Sequence, residues 1–281
     1  MCCAGVRPGG ARCRAGHRPR RTTPLLLVII AVLHAVPPAG SAAQRKAAAP
    51  GGADATVEWV TVPAGRFLMG CVPGDRNCRG NEHHRHEVEL SRGFELTATE
   101  VTVGQFDAFA RSAGGRTPRQ PLWNGTPRHP VVNVTWEEAA AMCGWLGGRL
   151  PTEAEWERAA RAGEDGRIFW WGDTFDRRSV NAGGTGAGDR WRTTAPVGSF
   201  PPNAYGLYDM AGNVWEWTAD WYARQYPKRP ATDPGGPPSG THRVIRGGSW
   251  DSSAARVRTS SRYGLPAVAR YNLYVGFRCA R

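Results

Sequence analysis

The chain has 281 residues, 41% hydrophobic and 21% charged, with Lys+Arg 36 against Asp+Glu 24. That apolar content suffices for the core of one large domain or two small ones, and it excludes a collagen-like repeat, a coiled coil and a polytopic membrane protein. The formal net charge of +12 and the odd count of Cys 7 both depend on where the mature protein begins.

Residues 1–23 carry Arg7, Arg12, Arg14, Arg18, Arg20 and Arg21 and no acid, and the apolar run Leu25 to Leu33 and the small residues Ala39 to Ala43 follow. A basic segment, a short apolar stretch and a small-residue cleavage site make an export signal, so residues 1–43 read as a signal peptide. The alternative is an uncleaved amino-terminal anchor, in which Pro24 to Val36 would span a thinned bilayer. On either reading the remainder is exported, periplasmic or extracellular, and a membrane is a partner only if the segment stays attached. Cleavage removes six of the 36 basic residues and none of the 24 acidic ones, which leaves a surplus of six. That is ordinary for a soluble surface and gives no support to a nucleic-acid partner. The same cut removes Cys2, Cys3 and Cys13, leaving Cys71, Cys78, Cys143 and Cys279, enough for two disulfides in an oxidising compartment.

Residues 44–56, rich in Ala and Gly, read as a flexible linker, and residues 57–281 as one domain. Short strands are expected at Trp59 to Val62, Phe67 to Met69, His86 to Leu90 and Phe94 to Thr97. His83, His84 and His86 sit in a polar run read as a solvated loop, because no companion Cys or His motif closes a tetrahedral metal site. Three helices follow Thr102-Val-Gly-Gln105, Thr135-Trp-Glu-Glu138 and Thr152-Glu-Ala-Glu155, where hydroxyl and Glu/Gln side chain satisfy each other's first-turn amides, and glycines at 114, 147 and 163 end them. From Gly163 to His242 no period is sustained, yet the embedded aromatics require packing, for which metal ions or disulfides are the usual devices. Strands return at Val244 to Arg246 and Gly276 to Cys279.

Met69-Gly70, Glu100-Val-Thr102, Gly148-Arg-Leu-Pro-Thr-Glu-Ala-Glu-Trp-Glu157, Trp171-Gly172, Pro202-Asn-Ala-Tyr-Gly-Leu-Tyr-Asp209, Gly212-Asn-Val-Trp-Glu-Trp217, Arg246-Gly-Gly-Ser-Trp250 and Gly276-Phe-Arg-Cys279 occur in that order. As a set they resemble the formylglycine-generating enzyme family, also called the sulfatase-modifying-factor family, over residues 57–281. The resemblance implies an α+β fold, a loop-rich variant of the C-type lectin fold with little regular secondary structure and bound calcium. In catalytic members the Gly-Gly-Ser segment is closely followed by two cysteines that bind copper(I) and activate dioxygen to oxidise a substrate cysteine to formylglycine; soft thiolates suit that ion.

In this sequence Ser252 stands where the first cysteine would fall, and the second falls among Ala254 to Val257, so copper is not an expected cofactor. Ser249 matches the family's active-site serine, and Trp215 and Trp250 match aromatics of its substrate groove. Their other reading is a structural turn with packed aromatics. By resemblance Cys143 pairs with Cys279. The positions of a second family disulfide, Ala160 and Thr259, have both lost cysteine, and Cys71 is left to pair with Cys78. The resemblance further implies two calcium sites. One uses the Asp209 and Glu216 side chains with the carbonyls of Gly212 and Val214; the other uses the Asn181 and Asp189 side chains with the carbonyls of Ala182 and Trp191. Asp209 and Glu216 as solvated or ion-paired carboxylates is the alternative.

Functionally the sequence points to a calcium-braced binding or accessory protein not competent for copper-dependent formylglycine formation. Its ligand would be a protein, peptide or small molecule at the carboxy-terminal loop groove, whose Asp251 to Tyr274 segment has a recognition-like composition, and a sulfatase or a catalytic family member is a candidate partner. The alternative is an oxidoreductase-type enzyme of the family that oxidises protein or peptide through a non-standard site.

Overall fold

The computed structural model describes residues 45–47, 56–124, 126–183, 191–270 and 272–281. The expected signal, nine of the thirteen residues of the expected linker, and Asp189 lie outside the described residues, while Arg45–Ala47 of that linker form a strand. In chain order the elements are β1 (Arg45–Ala47), β2 (Val57–Val62), β3 (Gly65–Met69), β4 (His86–Leu90), β5 (Phe94–Thr97), α1 (Val103–Ser112), α2 (Trp136–Trp145), α3 (Glu153–Arg161), β6 (Trp215–Trp221), β7 (Ala231–Thr232), β8 (His242–Arg246), β9 (Arg262–Pro266) and β10 (Val275–Phe277). The architecture is α+β, with three small sheets ordered β1-β2-β5, β3-β4-β7 and β10-β6-β8-β9.

All three helices begin at the expected threonines. Thr102, Thr135 and Thr152 each accept from the backbone amide three residues on, and Gln105, Glu138 and Glu155 reach back to the cap amide. Each box satisfies two amides that the first turn cannot bond internally. Ala162 takes a left-handed φ of 47° at the end of α3, an unusual conformation for a residue with a Cβ.

The stretch from Gly163 to His242 is less irregular than expected. It holds β6, a seven-residue strand with β10 parallel on one side and β8 antiparallel on the other. Trp215, Glu216, Trp217 and Thr218 are all buried, so the strand lacks the apolar–polar alternation that reveals a half-buried strand. The rest of that stretch is held by side-chain bonds to backbone. Asn203, for example, donates to Ala159 O at 2.7 Å and accepts from Tyr205 N and Leu207 N.

Every residue of α3 is buried although five of its nine are acids or bases, because each of these finds a partner. Glu157 accepts from Gly70 N at 2.8 Å and pairs with Arg161 at 2.7 Å and with Arg246. Burial pushes the Glu157 carboxyl up, but Arg161 and Arg246 outweigh it and hold it below its ordinary value. Arg258 similarly ties Asp75 and Glu82 to the carboxy-terminal loop, at 2.7 and 2.5 Å. Leaving one partner of such a pair alone in the core typically costs about 3 to 5 kcal/mol, so these contacts fix loop positions.

Both disulfides are present. Cys143 on α2 joins Cys279 with Cα atoms 5.3 Å apart across 136 residues, and Cys71 joins Cys78 at 5.8 Å. The solvated-loop expectation fails for His86, which is buried at the start of β4 with Nδ1 2.9 Å from His84 O and its ring against Tyr226. The His84 carbonyl and the Tyr226 ring are the contacts that hold it there. No helix of the described residues is long and apolar enough to cross a membrane.

Candidate functional site

The carboxy-terminal groove is set by the turn after β8. Gly247 and Gly248 both take left-handed φ values, +94° and +80°, and a Cβ on Gly248 would lie 2.7 Å from Val257 Cγ1 and 2.9 Å from Arg256 O. Only glycine fits there, which aims the next residues at the end of β6. Ser249 N donates to Ser252 Oγ at 2.9 Å, and the two hydroxyls stand 3.2 Å apart. They line a cavity of about 550 Å³ with Trp215, Ile245, Tyr263 and Tyr274 as its apolar walls and Asp251 and Arg256 as its charges.

Of the expected groove residues, the structure brings Trp215, Ser249 and Ser252 to one cavity. Trp250 lies behind the wall, stacked on Tyr274 at 5.2 Å and edge-on to Trp123 at 5.7 Å. Tyr263 on β9 and Tyr274 were not singled out by sequence reasoning. The aromatic content of the Asp251 to Tyr274 segment was their signal, but only the β8–β9 pairing, with Ile245 opposite Tyr263, puts Tyr263 on the groove.

The two expected cation sites lie side by side, since Asn181 and Gly212 form a parallel bridge. A Cβ on Gly212 would meet Asn181 O at 2.2 Å, and its φ is +75°. Asn181 Nδ2 donates to Thr193 O at 2.9 Å and Asn213 Oδ1 at 3.2 Å, while Asn181 Oδ1 is buried without a partner. A buried amide oxygen left in this way is costly unless something unlike a protein donor meets it. Ala182 O accepts from Arg177 at 3.5 Å, and Trp191 packs edge-on to His129 at 5.9 Å.

Asp209 sits at φ +55° and accepts from Gly198 N at 2.7 Å. Val214 N donates to Glu100 at 3.2 Å, and Asn213 Nδ2 donates to the same carboxylate at 2.7 Å. Glu216 is ion-paired: its oxygens take Arg278 at 2.7 and 2.8 Å, and Trp156 Nε1 at 2.7 Å. Three buried carboxylates, Glu100, Asp209 and Glu216, thus share the single guanidinium of Arg278. Burial, then the charges of Asp209 and Glu216, pushes Glu100 well above the usual carboxylate range. Burial also pushes Asp209 up to about 6, opposed by Gly198 N and Arg278. Glu100 lies in the Glu100-Val-Thr102 motif, and only the fold sets it beside Asp209 and Glu216, more than a hundred residues further along the chain.

The Sulfatase-modifying factor enzyme 1-like domain matches residues 45–281 of the chain. This chain belongs to the FGE-sulfatase family. It is 44% identical over 282 residues to a protein named formylglycine-generating enzyme from Thermomonospora curvata, covering 79% of this chain and 92% of that protein. It is 35% identical over 287 residues to one named inactive C-alpha-formylglycine-generating enzyme 2 from Bos taurus, covering 82% and 89%. Among solved structures of this architecture, PvdO from Pseudomonas aeruginosa superposes with a TM-score of 0.72 at 30% identity, covering 85% of this chain and 99% of PvdO.

Proposed function

We propose that this FGE-sulfatase family member is an exported binding or accessory protein that holds a peptide segment of a protein partner in the Ser249–Ser252 groove without oxidising it through copper. The donor set at the groove carries this reading. Copper(I) calls for soft thiolates, whereas the groove offers two hydroxyls 3.2 Å apart. All four cysteines of the described residues are in disulfides. The residues do not fit copper, and no step is routed through it. Aromatic walls from Trp215, Tyr263 and Tyr274, flanked by Asp251 and Arg256, suit an extended peptide that inserts apolar and charged side chains. A sulfatase or a catalytic member of the family is the partner this site would serve. The inactive relative from Bos taurus is consistent with a scaffold retained apart from oxidation.

The scaffold is read as the lectin-like variant that the motif order implies, braced by calcium. Support comes from the orphaned Asn181 Oδ1 and from the negative surplus around Arg278. Calcium takes six to eight oxygens. Asn181 with the Ala182 carbonyl, and Asp209 with the carbonyls of Gly212 and Val214, are the described groups that would supply them. Glu216, whose oxygens are held by Arg278 and Trp156, would join the shell only by exchanging one of those bonds. The ion would crosslink loops that carry few ladder bonds.

The test incubates the purified protein with a Cys-x-Pro-x-Arg peptide, copper and dioxygen. The expected result is saturable binding by fluorescence anisotropy, weakened by Tyr274→Ala, with the peptide thiol intact by mass spectrometry. Formylglycine in the peptide would establish the oxidoreductase alternative instead, and absence of binding would overturn the client-binding reading.

A further inference from the structure

β6 touches a second cavity at its other end. Trp215 lines the groove described above, while Asp220 and Trp221 line a separate cavity of about 270 Å³, five residues and roughly 17 Å further along the strand. At about 30 Å³ per water-sized group this has room for on the order of nine non-hydrogen atoms. Its walls are mainly apolar: Met69, Trp221, Tyr226, Pro227, Pro234 and Pro237. The loop that carries the last two is tied down at its start. Asp233 accepts from Ser91 N and Oγ at 2.8 and 2.5 Å, and its own amide donates to Glu89 O at 2.8 Å.

The charges of the cavity do not balance. Glu153 is satisfied, gripped by Arg262 through bonds of 2.6 and 2.7 Å and by the Tyr226 hydroxyl at 2.9 Å. Asp220 is 3% exposed, and its Oδ2 accepts one bond, from Glu153 N at 2.7 Å. Among the described residues Asp220 Oδ1 accepts none and Asp220 has no ion-pair partner. The position of a Cβ on Gly236, in the cavity wall, falls 3.1 Å from that oxygen, so Oδ1 faces the loop that closes the cavity. A buried carboxyl with one oxygen bonded and the other unbonded at the cavity wall leaves an acceptor without a donor and a charge without an ion-pair partner.

We propose that this cavity is a binding site for a compact primary organic ammonium, its nitrogen donating to Asp220 Oδ1 and its hydrocarbon part lying against Trp221, Tyr226 and the proline wall. An ammonium supplies both missing elements, and the apolar lining rewards a short hydrocarbon tail over a bare inorganic cation. Burial pushes the Asp220 carboxyl up to about 7, with Glu153 and Glu155 on α3 pushing the same way and Glu153 N and Arg262 on β9 opposing. Arg149, Arg243 on β8 and His86 on β4 are the other charged or titratable groups that face it. Only the ionised carboxylate takes the ammonium, so binding tightens as pH rises through 7. The site is independent of the groove reading, and either can fail alone.

The test titrates the full protein with n-butylammonium by calorimetry and tryptophan fluorescence, with n-butanol and butyrate as controls. Butylammonium should bind about tenfold more tightly at pH 8 than at pH 6, following the ionised fraction of Asp220. The two controls should bind far more weakly. Asp220→Asn should abolish the preference for the ammonium. The exposed rim residue Gln225, changed to Lys, should weaken ammonium binding without disturbing the core, and that variant serves if Asp220→Asn does not fold. An arm with Nα-acetyl-lysine methylamide distinguishes sources: binding comparable to butylammonium assigns the pocket to a lysine side chain of a partner, and exclusion assigns it to a free amine. Equal binding of n-butanol, a flat pH response, or unchanged binding in both variants would overturn the proposal.

Discussion

Replacing Asp220 by Asn isolates what its buried carboxylate costs the fold. The folded-state value of about 7 lies well above the ordinary 3.8. A shift of that size, at about 1.4 kcal/mol per unit, corresponds to about 4 kcal/mol of destabilisation once the group is ionised in both states. The folded chain keeps a proton that the unfolded chain has already released. The unfolded state therefore binds fewer protons between pH 3.8 and 7. Stability from this group falls as pH rises through that window and is level above it. Asn keeps the oxygen that accepts from Glu153 N, and at pH 5 it closely mimics the protonated acid. The Asn variant should thus exceed the parent by about 1.5 kcal/mol at pH 5, where the unfolded parent is already ionised, and by about 4 kcal/mol at pH 8, a widening of about 2.5 kcal/mol or roughly 5 to 10 °C in Tm for a domain of this size. Urea unfolding of both proteins at the two pH values, with disulfides kept oxidised, reads the difference directly. A gap between the two proteins that stays constant from pH 5 to pH 8 would refute the reasoning, because any effect of the substitution on packing alone is independent of pH.

The two disulfides should differ in worth. Replacing Cys143 and Cys279 together by Ala reopens 136 residues and should cost about 5 kcal/mol in the chain-entropy model, against about 2 to 3 for the Cys71 and Cys78 pair, which closes only 7. Denaturant midpoints of the two double variants check the order, and equal losses would remove chain entropy as the cause. If calcium meets the orphaned oxygen of Asn181, adding it at a hundredfold excess over Kd should raise stability by about 2.7 kcal/mol, and Asn181→Ala should reduce that gain; thermal melts with and without chelator measure both.

The helices were legible because their signals are local. A threonine hydroxyl and a Glu or Gln three residues later satisfy each other wherever the rest of the chain goes, and all three boxes form. The disulfide partners were legible through resemblance, and the groove through the Gly247-Gly-Ser-Trp250 segment. β6 was not legible, since burial on both faces erases the period of two that a strand leaves in sequence. An ion-paired Glu216 was one of two readings the sequence left open, and its partner Arg278, 62 residues on within the Gly276-Phe-Arg-Cys279 motif, could be assigned only from the fold.

The sequence by itself determined the family, the α+β class and the helix starts, all of which reside in residue type and short spacing. Tertiary structure alone decided which charges are balanced. Glu216 and Glu153 find guanidiniums, while Glu100, Asp209 and Asp220 are left in excess. The physical reason is range: capping and turn chemistry act within a few residues, whereas the cost of a buried carboxylate depends on every group packed around it, and those groups come from opposite ends of the chain.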